Sequence, residues 1–397
     1  MVGSVKPRIY PMTQRFDVCI RGGGIVGCTL ALLLSQQRLR VALRMAPTGP
    51  RAPGVTADGH GDIRAYALNE ASRRVLESVR AWPEGAADGS GHPAVTPVNR
   101  MDVRGDHGGM LTFSAEAAGE LALNWIVDVP ALEARLTQAL QYQGHVQIFD
   151  GADEPPACPL TVVCEGKHST TRQQWGLSYD IKSYGHHALA ARLKLSTQHQ
   201  GVARQWFSNG EILALLPLGG EKGDTAALVW SVPSDKVGDL CQLDATTFAA
   251  AVAEVAGLDA SQLQLTHPPQ SWPLVLAQAS EWVKPGLALA GDAAHAMHPL
   301  AGQGLNAGLA DVARLSQVLQ DREYWRELGD LKLLRRYERA QKAAFAAMGG
   351  LTDGLFMLFH TDNRFVQSLR NAGLNGVNHL SPLKTWLTRQ ATGSSAV

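Results

Sequence analysis

Apolar segments and glycines alternate near the start of the chain in a way that predicts a strand–turn–helix–strand unit. Residues 16–21 form a short apolar run typical of a buried strand, and residues 28–38 form an apolar run of helix length. A glycine-rich turn at residues 22–27 separates them, and residues 40–44 predict a second strand. Because this is the context in which a glycine fingerprint binds a dinucleotide, the pattern favours a Rossmann-type unit.

Further along the chain the hydrophobic pattern is mixed. Residues 62–80 have helical periodicity, residues 130–142 predict an amphipathic helix, and residues 160–164 predict a buried strand. Consecutive strands of an antiparallel sheet are predicted at residues 187–195, 202–207, 211–218 and 225–232. A helix, a buried strand and a second helix are then predicted at residues 246–256, 287–290 and 304–319. From residue 331 onward the chain is predicted to be mainly helical.

This order of elements predicts two interleaved lobes and a helical tail. A nucleotide-binding lobe is expected from residues 13–80, 126–180 and 273–345. A sheet-rich lobe is expected from residues 81–125 and 181–272, and a C-terminal helical region from residues 346–397.

Composition narrows the class of protein. The 397 residues include 36 basic and 36 acidic ones, and this balance argues against a nucleic-acid partner. The five cysteines show no paired spacing and are interpreted as reduced thiols. The start has no secretory apolar region, and no apolar run reaches the length of a membrane span, so a cytoplasmic protein is expected.

The turn carries Gly22, Gly24 and Gly27 in the spacing of a dinucleotide fingerprint. The first glycine allows a tight turn, the second lets a pyrophosphate approach the backbone, and the third lets helix and strand pack closely. Ile25 and Val26 complete the loop, and the free N–H groups of the following helix attract phosphates. The sequence therefore predicts a dinucleotide site here.

One element of the fingerprint is missing. About 20 residues after the turn, an acidic side chain normally accepts hydrogen bonds from the adenosine ribose. Here the second strand ends in Arg44 and Met45, so ribose recognition is either weaker or supplied by another group. An Arg could instead indicate a 2′-phosphate and hence NADP, but the remaining motifs favour a flavin.

A second motif follows the predicted strand at residues 287–290. Asp292 stands where a carboxylate can accept hydrogen bonds from the ribityl hydroxyls of a flavin, and Gln303 opens a helix. The N-terminal amides of such a helix stabilise negative charge on a reduced flavin ring. The candidate cofactor-binding residues of this segment are Gly291, Asp292, Pro299, Gly302, Gln303, Gly304, Leu305 and Asn306.

The run GDAAHAMHPLAGQGLNAGLAD resembles the aromatic-hydroxylase class of flavoprotein monooxygenases, and especially the ubiquinone-biosynthesis hydroxylase family. Residues 62–68 are similar to that family's arginine motif, whose arginine, here Arg64, lies beside the cofactor. Further short matches at residues 184–185, 203–207, 213–218 and 370–374 extend the resemblance over most of the chain. It departs at Glu165, where the family has Asp, and in the pair His186-His187, where a histidine replaces a frequent Gln.

The resemblance implies an α/β (α+β) fold of the p-hydroxybenzoate hydroxylase type, with a Rossmann-type FAD lobe, an interleaved antiparallel-sheet substrate lobe and C-terminal helices. It implies FAD as cofactor and NAD(P)H as transient reductant, since the sequence has one dinucleotide fingerprint. The implied reaction uses O2 to hydroxylate an aromatic ring through a flavin C4a-hydroperoxide. The implied substrate is a polyprenylated phenol of ubiquinone biosynthesis, and no catalytic acid or base is identified.

Two other functions stay open. A hydroxylase of a small soluble aromatic acid would need a cationic pocket residue, for which Arg192 and Arg204 are the candidates. A family member with weakened FAD binding could instead be a scaffold in a biosynthetic complex, a hypothesis motivated by Met45 and Glu165.

Candidate substrate-lining residues come from the predicted sheet. Because strand side chains alternate, His186 or His187 can point inward, but not both. The aliphatic strand contributes Leu215 and Pro217. His295 and His298 could suggest a metal pair, but no carboxylate or cysteine lies nearby in a ligand spacing, so packing near the flavin loop is favoured over a metal site.

Apolar side chains also cluster in the predicted C-terminal helices, at residues 351–359. Ordinary helix packing is the simplest interpretation, and a patch that contacts lipid or a partner protein is the alternative. Peripheral association with the inner membrane or with a biosynthetic complex therefore stays open. The hydroxylated ring position, the choice between NADH and NADPH and the oligomeric state also stay open.

Overall fold

The computed structural model describes residues 15–45, 62–87, 91–105, 109–151, 153–297 and 303–347, with the backbone of one helix continuing to residue 360. The strands are β1 (Val18–Arg21), β2 (Val41–Arg44), β3 (Ala65–Leu68), β4 (Val95–Val98), β5 (Arg100–Arg104), β6 (Met110–Ser114), β7 (Asn124–Asp128), β8 (Val146–Phe149), β9 (Leu160–Val163), β10 (Tyr179–Leu195), β11 (Val202–Ser208), β12 (Glu211–Leu218), β13 (Thr225–Pro233), β14 (Leu263–Ala279), β15 (Val283–Lys284), β16 (Leu287–Leu289) and β17 (His295–Ala296). The α-helices are α1 (Ile25–Gln36), α2 (Glu70–Ser78), α3 (Ala115–Ala118), α4 (Val129–Gln141), α5 (Thr170–Gln174), α6 (Val237–Gln242), α7 (Ala245–Ala256), α8 (Gln303–Gln320) and α9 (Leu331–His360).

A six-stranded sheet in the order β15-β16-β9-β1-β2-β8 contains the predicted Rossmann unit. Its strands run parallel except for β15, which pairs antiparallel to β16. Short aliphatic runs suit this position, because helices cover a parallel sheet on both faces. Helix α1 packs against α4 and α8. The carboxyl ends of β1, β2, β9 and β16 therefore meet at one edge, the place where open α/β sheets bind ligands.

A second sheet has the order β17-β14-β10-β13-β12-β11-β5-β6. Its pairs are antiparallel except for β11 with β5. One face packs on α7, around buried Leu213, Trp230 and Phe248. Since side chains alternate along each strand, the neighbouring residues of β12 and β13 point to the opposite face, toward the Rossmann lobe.

A three-stranded antiparallel sheet, β3-β7-β4, joins the two larger sheets. Ala67 and Ile126 of this small sheet pack against Ala203 and Leu218 of the large one. Contacts of this kind fix the distance between the carboxyl edge of the six-stranded sheet and the large sheet.

The structure confirms the predicted fold class and most of the predicted elements, but one prediction was wrong and the long strand β14 was not predicted. Residues 62–80 are not one helix, since β3 precedes α2. Strand β14 was missed because Pro268, Pro269 and Pro273 argue against a central strand. They are tolerated because β14 pairs with β17 only at Ala277 and Gln278, which leaves most of its outer side as a sheet edge.

The division into lobes remains a prediction, and β10 and β14 cross its boundaries at residues 180 and 272. Helix α9 agrees with the helical character predicted from residue 331 onward, while residues 361–397 and the side chains of the apolar cluster lie outside the described residues. Within the part of the chain that the structure describes, no helix combines the length and the apolarity needed to cross a bilayer.

Candidate active site

A cavity of about 880 Å³ lies between the carboxyl edge of the Rossmann sheet and the large sheet. This volume is at the upper end of the range for ligand pockets. The residues that line its Rossmann side include Gly22, Gly23, Gly24, Ile25, Val26, Met45, Arg64, Glu165, Asp292, Gly304 and Leu305. The cavity continues without interruption to an apolar face of the large sheet, so one space can hold a cofactor and a second molecule beside it.

The glycine turn has the tight geometry that the fingerprint predicts. Gly22 has a φ of +116°, and a Cβ there would lie 2.3 Å from the carbonyl oxygen of Cys164. A Cβ on Gly27 would lie 1.9 Å from the carbonyl oxygen of Gly22. Around Gly24, by contrast, a Cβ would meet no described atom within 4 Å. The turn is therefore closed against the protein and open toward the cavity.

Helix α1 begins at this turn with free N–H groups. Gly24 is its N-cap residue, no side chain caps the helix, and its first turn carries no acidic residue. Unpaired amides and the positive end of the helix dipole form an anion site. Together with the open backbone at Gly24, this end of the cavity fits a pyrophosphate.

A buried carboxylate stabilises the turn after β16. Asp311 of α8 is 1% exposed and accepts hydrogen bonds from the Gly291 backbone N–H at 2.8 Å and from His295 Nε2 at 2.7 Å. Gln341 of α9 donates a third hydrogen bond to it at 3.0 Å. Trp282 stacks on the imidazole of His295. The position of Asp292 is therefore fixed by two helices, and His295 has the packing role that the sequence favoured.

Asp292 presents its carboxylate to the cavity. The side chain is exposed to the cavity, and the desolvation it experiences at the cavity wall raises its pKa. Lys167 and His295 act in the opposite direction on the same pKa. Among the described residues, none hydrogen-bonds to the Asp292 carboxylate, so its oxygens can accept from ligand hydroxyls.

Four other residues of this segment that were expected to bind the cofactor either do not line the cavity or lie outside the described residues. Asn306 is turned away: its amide donates to the Ala67 carbonyl at 2.9 Å and accepts from the Asn69 N–H at 3.0 Å and the Ser72 hydroxyl at 2.7 Å. It joins α8 to the start of α2, which corrects the expectation. Pro299 and Gly302 lie outside the described residues, as does His298. Gln303 is the first residue of α8 and does not line the cavity.

Arg64 lies at the cavity wall and is held by two carboxylates. It binds Asp62 through Nε at 2.9 Å and Nη2 at 2.6 Å, and Glu133 lies 3.6 Å away. The hydrogen bond to Asp62 raises the pKa of Arg64 further above its ordinary value, so the guanidinium stays charged. Arg192 supports this segment by donating to the carbonyls of Ile63 at 2.8 Å and Arg64 at 3.1 Å.

Among the described residues at the opposite end of the cavity, no unpaired acidic side chain replaces the missing ribose carboxylate. Met45 and Arg44 line the wall, and Arg44 is paired with Glu154 at 3.0 Å. The carboxylate of Glu165 accepts from the hydroxyls of Ser169 at 2.7 Å and Thr171 at 2.8 Å and from the Thr171 N–H at 3.1 Å. Glu165 therefore fixes the start of α5 and keeps little capacity for a ligand.

On the large-sheet side of the cavity, the lining residues are not the ones predicted from the sequence. Ala188, Ala190, Ile212, Ala214 and Leu216 line the cavity. The expected Leu215 lies in the core beneath α7, on the opposite face of β12. Pro217 shares the orientation of Leu215 because it is two residues further along the strand, and it does not line the cavity.

The two histidines expected near the substrate also lie outside the lining. His186 Nδ1 is 3.0 Å from the Tyr184 carbonyl oxygen, and His187 Nδ1 is 3.1 Å from the Ser234 hydroxyl. Both stand beyond the point at which β10 reaches the cavity, at Ala188. For β12 the reason is that both faces of the strand are apolar, so the sequence does not show which face lines the cavity.

The polar residues of the cavity wall that sequence reasoning missed include Asn124, Gln205 and Ser231. Asn124 Oδ1 and Ser231 Oγ are buried and have no hydrogen-bond partner among the described residues. Their environment becomes apolar only when three sheets come together, so no local sequence pattern marks them.

A Rossmann edge with an open glycine turn, joined by one cavity to a largely antiparallel sheet, defines an FAD-dependent monooxygenase of the p-hydroxybenzoate hydroxylase type. The chain belongs to the family described as FAD binding domain, whose sequence profile matches residues 15–349. In fold, the chain is similar to p-nitrophenol 4-monooxygenase PnpA from Pseudomonas putida. The TM-score is 0.72 and the identity 15%, over 96% of this chain and 99% of that one.

Relatives of similar length share more of the sequence. The ubiquinone hydroxylase UbiL of Rhodospirillum rubrum is 30% identical, over 95% of this chain and 90% of that protein. The 3-demethoxyubiquinol 3-hydroxylase of Escherichia coli is 28% identical, over 96% of this chain and 99% of that protein. FAD is the cofactor of this family, and the open Gly24 turn and the unpartnered Asp292 carboxylate fit it.

Proposed function

We propose that the protein hydroxylates the ring of a polyprenylated phenol in ubiquinone biosynthesis, with FAD as cofactor, NAD(P)H as transient reductant and O2 as co-substrate. The observation that carries this proposal is the continuous cavity, which runs from the glycine turn to an apolar sheet face. The relatives named as ubiquinone hydroxylases support the same substrate class. When bound, FAD supplies the redox chemistry, accepting a hydride equivalent and activating oxygen.

The cofactor-binding roles belong to the proposal. The backbone at Gly24 and the first amides of α1 would hold the pyrophosphate, and the Asp292 carboxylate would accept from the ribityl hydroxyls. Amides at the start of α8, near Gly304 and Leu305, would stabilise negative charge on the ring system. Arg64 would lie beside the cofactor as a permanent cation.

The large sheet would orient the phenol and exclude water. The lining residues on this face include five alanines, Ala188, Ala190, Ala203, Ala214 and Ala227, and short side chains leave room above the sheet. A flat ring with an aliphatic tail can occupy this space, and its burial removes apolar surface from water. An apolar wall also keeps water away from the reacting atoms.

A small aromatic acid is less well matched to this wall. Arg192 is engaged by backbone carbonyls and by Asp128 at 2.8 Å, so it is not a free pocket cation. Arg204 contributes to the lining, but its register partner on β5 is Asp102, and strand alternation directs its guanidinium to the face of Trp206. The geometry therefore favours a neutral substrate over a carboxylate.

The first experiment is an assay of the full chain reconstituted with FAD. Purified protein is incubated with NADH or NADPH, O2 and a short-chain prenylphenol, and products are identified by mass spectrometry. We expect a product heavier by one oxygen atom and substrate-dependent NAD(P)H oxidation. Turnover of 4-hydroxybenzoate but not of the prenylphenol would favour the small-acid alternative.

The scaffold alternative is tested by the FAD titration itself. Protein that folds but shows no saturable FAD binding would refute the enzymatic proposal. Because a polyprenyl tail partitions into lipid, we also propose peripheral association with the inner membrane. Cofractionation with inner-membrane vesicles tests this, and complete recovery in the supernatant of such a mixture would contradict it.

A further inference from the structure

Two buried polar side chains on the cavity face of the large sheet have no hydrogen-bond partner among the described residues. Gln205 is 8% exposed and lines the cavity, and no described group donates to or accepts from its amide. Ser231 is 4% exposed and also lines the cavity, and its hydroxyl oxygen is enclosed without a partner. Both residues lie in a wall that is otherwise mainly aliphatic.

Unpaired buried polar groups are uncommon because they are costly. Leaving a buried donor or acceptor unsatisfied costs about 1–3 kcal/mol, and most such groups in proteins have a partner. The enclosed Ser231 hydroxyl is such a group, and the Gln205 amide on the same sheet face also makes no hydrogen bond to a described residue. Because both residues line the cavity, we take a ligand to supply the missing partners.

The sheet register fixes their relative position. Gln205 on β11 pairs with Ala214 on β12, and Ala214 pairs with Val229 on β13. Ser231 is two residues beyond Val229 and pairs with Ile212. With strands about 4.8 Å apart and a rise of about 3.4 Å per residue, the Cα atoms of Gln205 and Ser231 are about 12 Å apart.

This separation suits one substituted ring. A six-membered ring with oxygens on opposite carbons, together with two hydrogen bonds of about 2.8 Å each, spans a similar length. Ala214 and Ile212 lie on β12 between the two polar residues on the same face, and the short side chain of Ala214 leaves room for the ring beside Gln205.

We propose that Gln205 and Ser231 form the hydrogen-bonding ends of the substrate subsite. They bind two oxygen substituents of the ring and so determine which ring carbon faces the cofactor. This inference rests on the proposed function, because it takes the ligand of this space to be an oxygenated aromatic ring.

The test uses Gln205→Leu and Ser231→Ala in the FAD-loaded full chain. Gln264→Leu, on the exposed surface of β14, and Ser208→Ala, on the opposite face of β11, are matched controls. Binding of a short-chain prenylphenol is measured by the change in flavin fluorescence. Turnover and the position of the new hydroxyl are measured by product NMR. A prenylbenzene without ring oxygens serves as the comparison ligand.

We expect each cavity variant to raise the Kd and KM of the phenol about tenfold, with the prenylbenzene Kd unchanged. Gln205→Leu should also yield a mixture of hydroxylated positions. Ser231→Ala removes an enclosed unpaired hydroxyl, and Gln205→Leu removes an amide that makes no hydrogen bond to a described residue, so neither should lower the free energy of unfolding of the protein without FAD.

Two different failures can be told apart. If the wild-type protein hydroxylates the prenylphenol and both variants bind and orient it as the wild type does, the inference is refuted and the proposed function stands. If the wild-type protein with FAD neither binds nor hydroxylates any prenylphenol, the proposed function fails, and this inference fails with it.

Discussion

Replacing Met45 by Glu places a carboxylate at the end of β2, where dinucleotide-binding folds carry the acid that binds the adenosine ribose. Met45 lines the cavity and is only partly buried, so a charged group there can reach a ligand while keeping contact with water. The glycine turn lies close by, since a Cβ on Gly23 would be 2.6 Å from Met45 Cε. The neighbouring Arg44 is already paired with Glu154.

The size of the effect follows from the hydrogen bonds gained. A hydrogen bond to a charged group contributes about 1.5–3 kcal/mol, which corresponds to about 10- to 100-fold in affinity. Part of this gain is offset because Met45 packs against the main core and the substitution loses some of that contact. We therefore expect Met45→Glu to bind FAD about tenfold more tightly than the wild type.

Fluorescence titration of the protein with FAD measures this affinity. Met45→Gln has a similar length without the charge and should gain less, while Met45→Leu keeps the apolar character and should bind FAD as the wild type does. Thermal unfolding without FAD checks that all variants are folded. An affinity of Met45→Glu equal to or below that of Met45→Leu would refute the idea that a missing ribose contact limits FAD binding.

Further predictions concern the glycine turn, the buried carboxylate and pH. Gly24→Ala should weaken FAD binding at least tenfold by filling the approach to the backbone, measured by titration, whereas Gly27→Ala should prevent normal folding because its Cβ would lie 1.9 Å from a carbonyl oxygen. Asp311→Ala should lower the free energy of unfolding by about 3 kcal/mol in denaturant titrations, because the N–H of Gly291 and the imidazole of His295 lose their acceptor. Burial lowers the pKa of His199, whose Nδ1 accepts from the Gly201 N–H at 3.1 Å. The unfolded chain therefore binds more protons as pH falls below about 6.5, and the free energy of unfolding should decrease in that range.

A specific experimental result would contradict each of these expectations. Gly24→Ala with wild-type FAD affinity would show that the pyrophosphate does not approach this backbone. An Asp311→Ala protein as stable as the wild type would mean that the buried network does not hold the turn before Asp292. If His199→Gln has the same difference in stability between pH 7.5 and pH 5.5 as the wild type, His199 is not the group responsible.

Much of the nucleotide-binding end of the cavity could be predicted, because its motifs depend on residues that are close together in the sequence. The spacing of Gly22, Gly24 and Gly27 acts within a few residues, and it correctly indicated a turn between β1 and α1. Regular periodicity located α4, α7 and β12 to within a residue or so, since each has one pattern that suits its environment. The absence of an acid at Met45 was also visible in the sequence, because that position is fixed by its distance from the turn.

The substrate end was decided by tertiary structure. In the run from Glu211 to Leu218 both faces are apolar, one because it packs on α7 and the other because it lines the cavity, so alternation alone could not separate Leu215 from Ala214. Gln205 and Ser231 became buried without partners only when the large sheet met the Rossmann lobe. The sequence by itself determined that this protein has a dinucleotide site, because that information is local. Which side chains face the substrate depends on contacts between residues far apart in the chain, and only the packed sheets decide them.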